Sequence, residues 1–295
     1  MIYADFNGST PLCNDVTEYL INRLKANGPY SNPNAIHSLG KKVMFGMEKC
    51  RRVIAKSLNC KTDQIIFNSG ASEGISHIFY SLLECEPKSD RNVIITSGIE
   101  HSATVQCCNL YESKGYKVLT IETKKNGQIN LEHLNTLLKE NEKKVALLTV
   151  MAANNENGVI QPYKQIGLLA KKFNTLFFSD TTQYIGKTEF DFENSNMDFA
   201  VSSSHKIGAL IGSGVIIAKD KTLLKPFILG GGQEKGLRGG TQNYIGIETM
   251  AVAMNFFSEN KDELKEANTL RVQFEKNIKK KFPEVIIIGD DAPRL

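Results

Sequence analysis

The chain has no C-x-x-C pair, no low-complexity tract, no internal repeat and no apolar run approaching the ~20 residues that a membrane span needs. Each absence excludes a class of protein. The six cysteines, at positions 13, 50, 60, 85, 107 and 108, are scattered. Such scatter argues against a disulfide framework or a metal site and suits a reducing cytoplasm. Cys107 and Cys108, the one adjacent pair, fall in a helical pattern where neighbouring side chains point in different directions. The N-terminus, Met1-Ile-Tyr-Ala-Asp5, has no signal-peptide pattern, so the expected location is the cytoplasm, where the sequon Asn7-Gly-Ser9 has no meaning. An excess of one charge is lacking too. The net charge of +4 arises from 36 basic and 32 acidic residues, and the densest basic run, Lys279-Lys-Lys281, lies on a helical stretch that also carries acids. Nucleic acid binding is therefore not expected. What remains is ordinary globular material, 41% apolar and 23% charged, and its 295 residues suffice for one large core or for a main domain with a small one.

From residue 65 onward, short β-prone runs (65–67, 92–95, 117–121, 145–150, 176–178, 199–202 and 215–218) alternate with helical patterns at 73–83, 102–114, 131–140 and 163–173. In the first of these helices Ile75, Ile78, Phe79, Leu82 and Leu83 keep the three-four spacing of a buried face, whereas the strands are too short and too apolar to alternate. The pattern predicts an α/β fold, a mainly parallel sheet of about seven strands covered by helices. Helices are also expected at 15–25 and 38–58, separated by Gly28-Pro-Tyr-Ser-Asn-Pro33, and at 245–281, one long or broken helix leading into Val285-Ile-Ile-Ile288. In such sheets ligands collect at the carboxyl ends of the strands, so the residues there carry most weight.

Several of these ends bear polar groups. Asn68-Ser-Gly-Ala-Ser-Glu73 follows a strand and opens a helix, which suits either a phosphate against the helix N-terminus or a plain cap. His101, just past the run ending at Thr96, can stack on a flat cofactor, move a proton, or simply cap a helix. Asn154 and Asn155 can orient a ligand's polar groups or make a turn. Asp180 closes another strand with a carboxylate, the partner that a pyridinium nitrogen requires, or else a helix cap; Gln183 lies one turn on, within reach of a ring's phenolic oxygen. Then Val201-Ser-Ser-Ser-His-Lys-Ile-Gly208 places Lys206 after a hydroxyl-rich turn. A lone lysine is ordinarily solvated, but one that spends time unprotonated can form a Schiff base with an aldehyde. Finally, the glycine-rich run 230–243 carries Arg238 and Thr241, which read as a second anion contact reaching toward a neighbouring subunit, against the plainer reading of a flexible loop.

With these motifs assembled, the chain resembles the NifS-like cysteine desulfurases, pyridoxal 5'-phosphate enzymes of fold type I in the class V aminotransferase group. The likeness runs from Ile2 to Arg294. It is carried by Tyr3-Ala-Asp-Phe-Asn7, Ser31-Asn-Pro-Asn-Ala-Ile-His37, Ser69-Gly-Ala-Ser-Glu73, Glu100-His101, Asn154-Asn-Glu156, Asp180-Thr-Thr-Gln183, Ser203-Ser-His-Lys206, Gly230-Gly-Gly-Gln-Glu234 and Arg238-Gly-Gly-Thr241. The resemblance implies that Lys206 is the Schiff-base lysine, that Asp180 pairs with the pyridine nitrogen, and that His101 stacks on the ring and moves protons. Gln183 would contact the phenolic oxygen; Ser72, Ser203 and His205 would bind the phosphate, with Thr241 added from the second subunit of a homodimer; Asn155 would orient the ring or the substrate carboxylate.

The implied domains are an N-terminal arm of the small domain at 1–14, a large cofactor-binding domain at 15–257, and at 258–295 a connecting helix and the first strand of a truncated small domain. The implied reaction takes sulfur from L-cysteine, leaves L-alanine, and passes a persulfide to a sulfur-acceptor protein, as in iron-sulfur cluster biosynthesis. In the family the attacking thiolate and the arginine that holds the substrate carboxylate lie beyond the point matching Leu295. The alternatives are therefore a catalytically impaired, cofactor-binding partner or regulatory protein, or one half of a split enzyme completed by a separate chain. Cys107 or Cys108 is a remote substitute for the thiolate, since a helix cannot carry its thiol to the substrate as a loop can. The N-terminal pattern Asn7-Gly-Ser-Thr-Pro11 also departs from the family's. Val285-Ile-Ile-Ile288, as a first strand without its sheet, would expose an apolar edge that calls for a cover.

Overall fold

A computed structural model describes residues 2–28, 30–85, 87 and 90–295. Strands β1 (Ile65–Asn68), β2 (Val93–Ser97), β3 (Lys117–Ile121), β4 (Val145–Thr149), β5 (Phe177–Asp180), β6 (Phe199–Ser203) and β7 (Gly214–Ala218) form a seven-stranded sheet in the order β1-β7-β6-β5-β4-β2-β3. From β3 across to β6 all pairings are parallel, and β7 alone runs against its neighbours β6 and β1. The mainly parallel sheet expected from the sequence is present, and the exception has a simple cause. Parallel neighbours need a crossover of a dozen or more residues, whereas only residues 204–213 lie between β6 and β7. Because β1 opposes β7, it points the same way as β6, and the carboxyl ends of β1, β2, β4, β5 and β6 meet at one edge.

The strands read as unbroken apolar runs because both faces are covered. Ile65, Phe67, Val93 and Ile95 enter one core, while Ile66 and Ile94 enter the other. Helices α1 (Asn14–Lys25) and α2 (Ser38–Ser57) help cover the first face, as do α5 (Leu131–Glu140), α6 (Tyr163–Lys172) and α7 (Tyr244–Glu259), through residues such as Ile54, Leu134, Ile166 and Met250. The second face is covered by α3 (Ala71–Tyr80) and α4 (Ser102–Ser113) through Ile75, Ile78, Phe79 and Tyr111. The long helix expected at 245–281 breaks at Asn260, whose side chain donates to the Phe256 carbonyl at 2.9 Å and closes α7 before α8 (Lys261–Lys281) begins. Among the described residues no helix is long and apolar enough to cross a membrane.

The expectation of a strand at Val285-Ile-Ile-Ile288 needs correction. These residues form no ladder, and Ile286 and Ile288 are 87% and 62% exposed. β propensity has no effect without a partner edge, and the pairing goes instead to the next segment, where Ile160 donates to the Pro293 carbonyl at 2.8 Å and Leu295 to that of Gly158 at 2.9 Å. At the other end of the chain, residues 5–13 cross the carboxyl edge of the sheet. Thr10 and Cys13 donate their backbone N–H groups to the carbonyls of His205 and Gly208, each at 3.0 Å.

Candidate active site

A cavity of about 350 Å³ opens at this carboxyl edge. One wall is the entry to α3. Gly70 caps the helix at φ +153°, a conformation that L side chains rarely adopt, and a Cβ added there would lie 3.4 Å from the Ser203 hydroxyl at the end of β6. The first turn of α3 therefore sits directly against β6. Its N–H groups lack helical partners and, with Ser72 and Ser203, face the cavity as donors suited to an anion. Glu73, in the same turn, brings no free negative charge. Burial alone would raise its carboxyl, but hydrogen bonds from Arg238 (2.8 and 3.1 Å) and Ser69 outweigh burial and hold it below the ordinary range.

His101 both caps and faces the cavity. Its Nδ1 accepts from the Ala103 N–H at 3.1 Å, which leaves the proton of the neutral ring on Nε2. Of the two adjacent amides, Asn154 is structural, donating to the Ile99 carbonyl at 3.0 Å and accepting from the N–H groups of Glu156 and Asn157, while Asn155 lines the cavity. Asp180, at the end of β5, is buried and accepts from the Thr182 N–H at 2.9 Å. Behind it lies Glu100, whose carboxyl accepts from Ser97 and from the Met151 N–H (2.9 Å) while its Oε2 is buried without a hydrogen bond. Burial, reinforced by the Asp180 charge, pushes Glu100 up to about 8.

Lys206 stands opposite, in the turn after β6. Its Nζ donates to the carbonyls of Asn7 (2.5 Å) and Gly8 (2.8 Å), so the Asp5–Gly8 turn lies over the amine. Burial lowers its pKa from the ordinary lysine value against the opposing pull of Asp5 and Asp180. The adjacent His205 is also lowered, by burial and by the Lys206 charge. Gln183 donates through Nε2 to the Asn7 carbonyl at 2.9 Å and accepts through Oε1 from Lys187.

All the residues expected at a cofactor therefore line one cavity except Thr241, which is exposed on its own chain beside Tyr30 and Asn32. Arg238 corrects an expectation. It is not free to bind an anion, because its guanidinium is engaged by Glu73. Nor does the glycine-rich run dangle: Glu234 within it pairs with Arg51 at 2.9 and 3.0 Å and accepts from the Phe67 N–H. None of the six cysteines lines the cavity, and burial raises both Cys107 and Cys108, the latter to about 12. Sequence reasoning missed Glu100, Asn7 and Lys187 as parts of the site. Glu100 and Asn7 stood within motifs that carry the likeness, Glu100-His101 and Tyr3-Ala-Asp-Phe-Asn7, while Lys187 gave no signal.

The class V aminotransferase family model matches residues 2–294. The chain belongs to the class V aminotransferase family. Cysteine desulfurase NifS of Azotobacter vinelandii is 32% identical over 298 residues, covering 100% of this chain and 72% of that protein. Among solved structures, a NifS-like protein from Rickettsia africae superposes with a TM-score of 0.89 at 31% identity, over 100% of this chain and 79% of that one. SspA in complex with cysteine gives 0.80 at 30% identity, over 90% of this chain and 77% of the other. Membership in the class V aminotransferases implies dependence on pyridoxal phosphate as a family trait, and it agrees with a cavity that gathers a lysine, a buried aspartate and a helix N-terminus at one sheet edge.

Proposed function

We propose that this chain is a pyridoxal 5'-phosphate-dependent cysteine desulfurase that takes sulfur from L-cysteine and leaves L-alanine. The observation that carries the reading is the Lys206 amine, lowered in pKa and facing the same cavity as the buried Asp180, in a chain whose relatives are cysteine desulfurases. The residues present fit the cofactor. The cavity has the volume of a small-molecule site, and the Thr182 hydroxyl on its wall is buried without a protein partner. Lys206 would hold the aldehyde, Asp180 the ring nitrogen and Gln183 the phenolic oxygen; Ser72, Ser203, His205 and the first turn of α3 would hold the phosphate. When bound, the cofactor supplies an electron sink for the charge left at the substrate's α-carbon.

The chain's own residues do the rest. Asp180 offers its buried carboxyl at the floor, Asn155 orients polar groups of the ring or the substrate, and His101 and Lys206 are the proton-moving groups at the cavity. The sulfur step breaks the substrate's C–S bond as an acceptor thiolate forms an S–S bond, and the former sulfur-bearing carbon takes a proton, giving alanine and a persulfide. With no cysteine of this chain on the cavity wall, that thiolate approaches from outside the cavity, and a sulfur-acceptor protein then receives the sulfur. A second copy of the chain supplies Thr241, a reading supported by its exposure and by the apolar Leu39 and Phe45 exposed on α2. The scattered free cysteines support a cytoplasmic location.

Purified protein given pyridoxal phosphate is expected to turn yellow, and Lys206→Ala to lose that visible band. With L-cysteine and a small thiol reductant, alanine and sulfide should form in equal amounts. A colourless protein, or a yellow one that makes no alanine with thiol present, would refute the proposed activity.

A further inference from the structure

Lys187 lies at the end of the turn that follows Asp180, outside the cavity lining, yet it is wired into the site. Its Nζ donates to Asn7 Oδ1 at 2.7 Å and to Gln183 Oε1. Gly186, at φ +81°, brings this turn close to Ile207, where an added Cβ would meet the side chain at 2.4 Å. Among the described residues Lys187 forms no ion pair, so its partners are two neutral amides. An ammonium has three donors and no acceptor, which decides how those amides face. Each must turn its oxygen to Lys187 and its NH2 away. The Gln183 NH2 accordingly donates to the Asn7 carbonyl, and the Asn7 NH2 to the Asn155 carbonyl at 3.3 Å. The same Asn7 carbonyl also accepts from Lys206.

We propose that Lys187 is a positioning residue of this site: held between Gln183 and Asn7, it fixes both amides, so that Gln183 offers an N–H rather than an oxygen toward the cavity and the Asn7–Gly8 turn stays over the Lys206 amine. The role assigned to Gln183 rests on the cofactor reading above; the hold on the turn does not. Lys187 also places a second ammonium beside Lys206. The charges that act on Lys206 are Asp5 and Asp180, with His205 adjacent. Burial, together with repulsion from Lys206, lowers Lys187 to about 8.

The first test uses cofactor-free protein. The pH dependence of acetic anhydride labelling, followed at Lys206 by peptide mass spectrometry, gives the midpoint of that amine. Lys187→Met is expected to raise the midpoint, since it loosens the turn whose cover over the amine lowers it. Lys187→Arg, which keeps donors and charge, should stay near the parent. Asn7→Ala removes the other end of the bond and should shift Lys206 the same way, so the inference remains testable if Lys187→Met fails to fold. In protein loaded with pyridoxal phosphate, the pH midpoint of the visible band should also rise in Lys187→Met as the N–H donor loses its orientation. An unchanged Lys206 midpoint in both Lys187→Met and Asn7→Ala overturns the positioning role, even with the cofactor bound normally. A protein that takes up no cofactor while the labelling midpoint still shifts sinks the cofactor reading and leaves the hold on the turn standing.

Discussion

Replacing Glu100 with glutamine should make the protein more stable in alkaline solution and leave it little changed in acid. Glu100 is partly exposed as a residue, but its carboxyl lies near the Asp180 charge with Oε2 buried and unpartnered. Burial raises its pKa from 4.5 to about 8 in the folded protein. The folded state therefore holds a proton that the unfolded chain releases, and stability must fall as pH rises. The favourable contribution is fully present below about 4.5, is lost progressively toward 8, and the curve is flat above that. Each pH unit costs about 1.4 kcal/mol, so the full window of about 3.5 units is worth about 5 kcal/mol as an upper bound. Glutamine keeps an oxygen for Ser97 and the Met151 N–H and has no charge to expel. Urea unfolding of cofactor-free parent and Glu100→Gln at pH 5.5, 7 and 8.5 should show the variant gaining on the parent by about 3 kcal/mol between the extremes. Parallel stability curves, within about 1 kcal/mol at every pH, would show that Glu100 is not held neutral by its surroundings.

Two further changes probe the rest of the site. Glu234→Ala leaves Arg51, 10% exposed at its side chain, without its buried partner, and should cost about 3–5 kcal/mol in urea unfolding; a loss under about 1 kcal/mol would mean that the glycine-rich run is not anchored through this pair. Thr241→Ala, at an exposed position outside its own cavity, should alter stability by less than about 0.5 kcal/mol yet weaken pyridoxal phosphate binding about tenfold in a fluorescence titration, the worth of one hydrogen bond to a charged group. Unchanged affinity would remove the second copy from the site.

The sheet was legible because each strand, covered on both faces, had to be apolar at every position, as Ile65-Ile-Phe67 and Val93-Ile-Ile95 are. The site was legible where residues adjacent in sequence turn at a strand end, as at Asp180-Thr-Thr-Gln183 and Ser203-Ser-His-Lys206. Choices made between distant segments were not. Nothing near Arg238 announces that it will pair with Glu73, 165 positions away, instead of an anion. Asn260 as a helix breaker depends on one side-chain bond to the preceding turn, which hydrophobic spacing does not register. Residues 285–288 have strand composition but no partner edge, and composition cannot report the absence of a partner. Lys187 reads as one more surface lysine until Asn7, 180 positions away, folds back against it.

These long-range additions share a logic that the local motifs do not display. Asp180 and Lys206 face the cavity, and each has a group of its own charge type outside the lining that its charge acts on. Glu100 behind Asp180 is driven toward its neutral acid, first by burial and then by the Asp180 charge; Lys187 behind Lys206 is driven toward its neutral amine, first by burial and then by the Lys206 charge. At both Glu100 and Lys187, desolvation and repulsion act together against the charged form. Lys187 acts through the donors it turns on two amides and Glu100 through the proton it holds, and titration reads both.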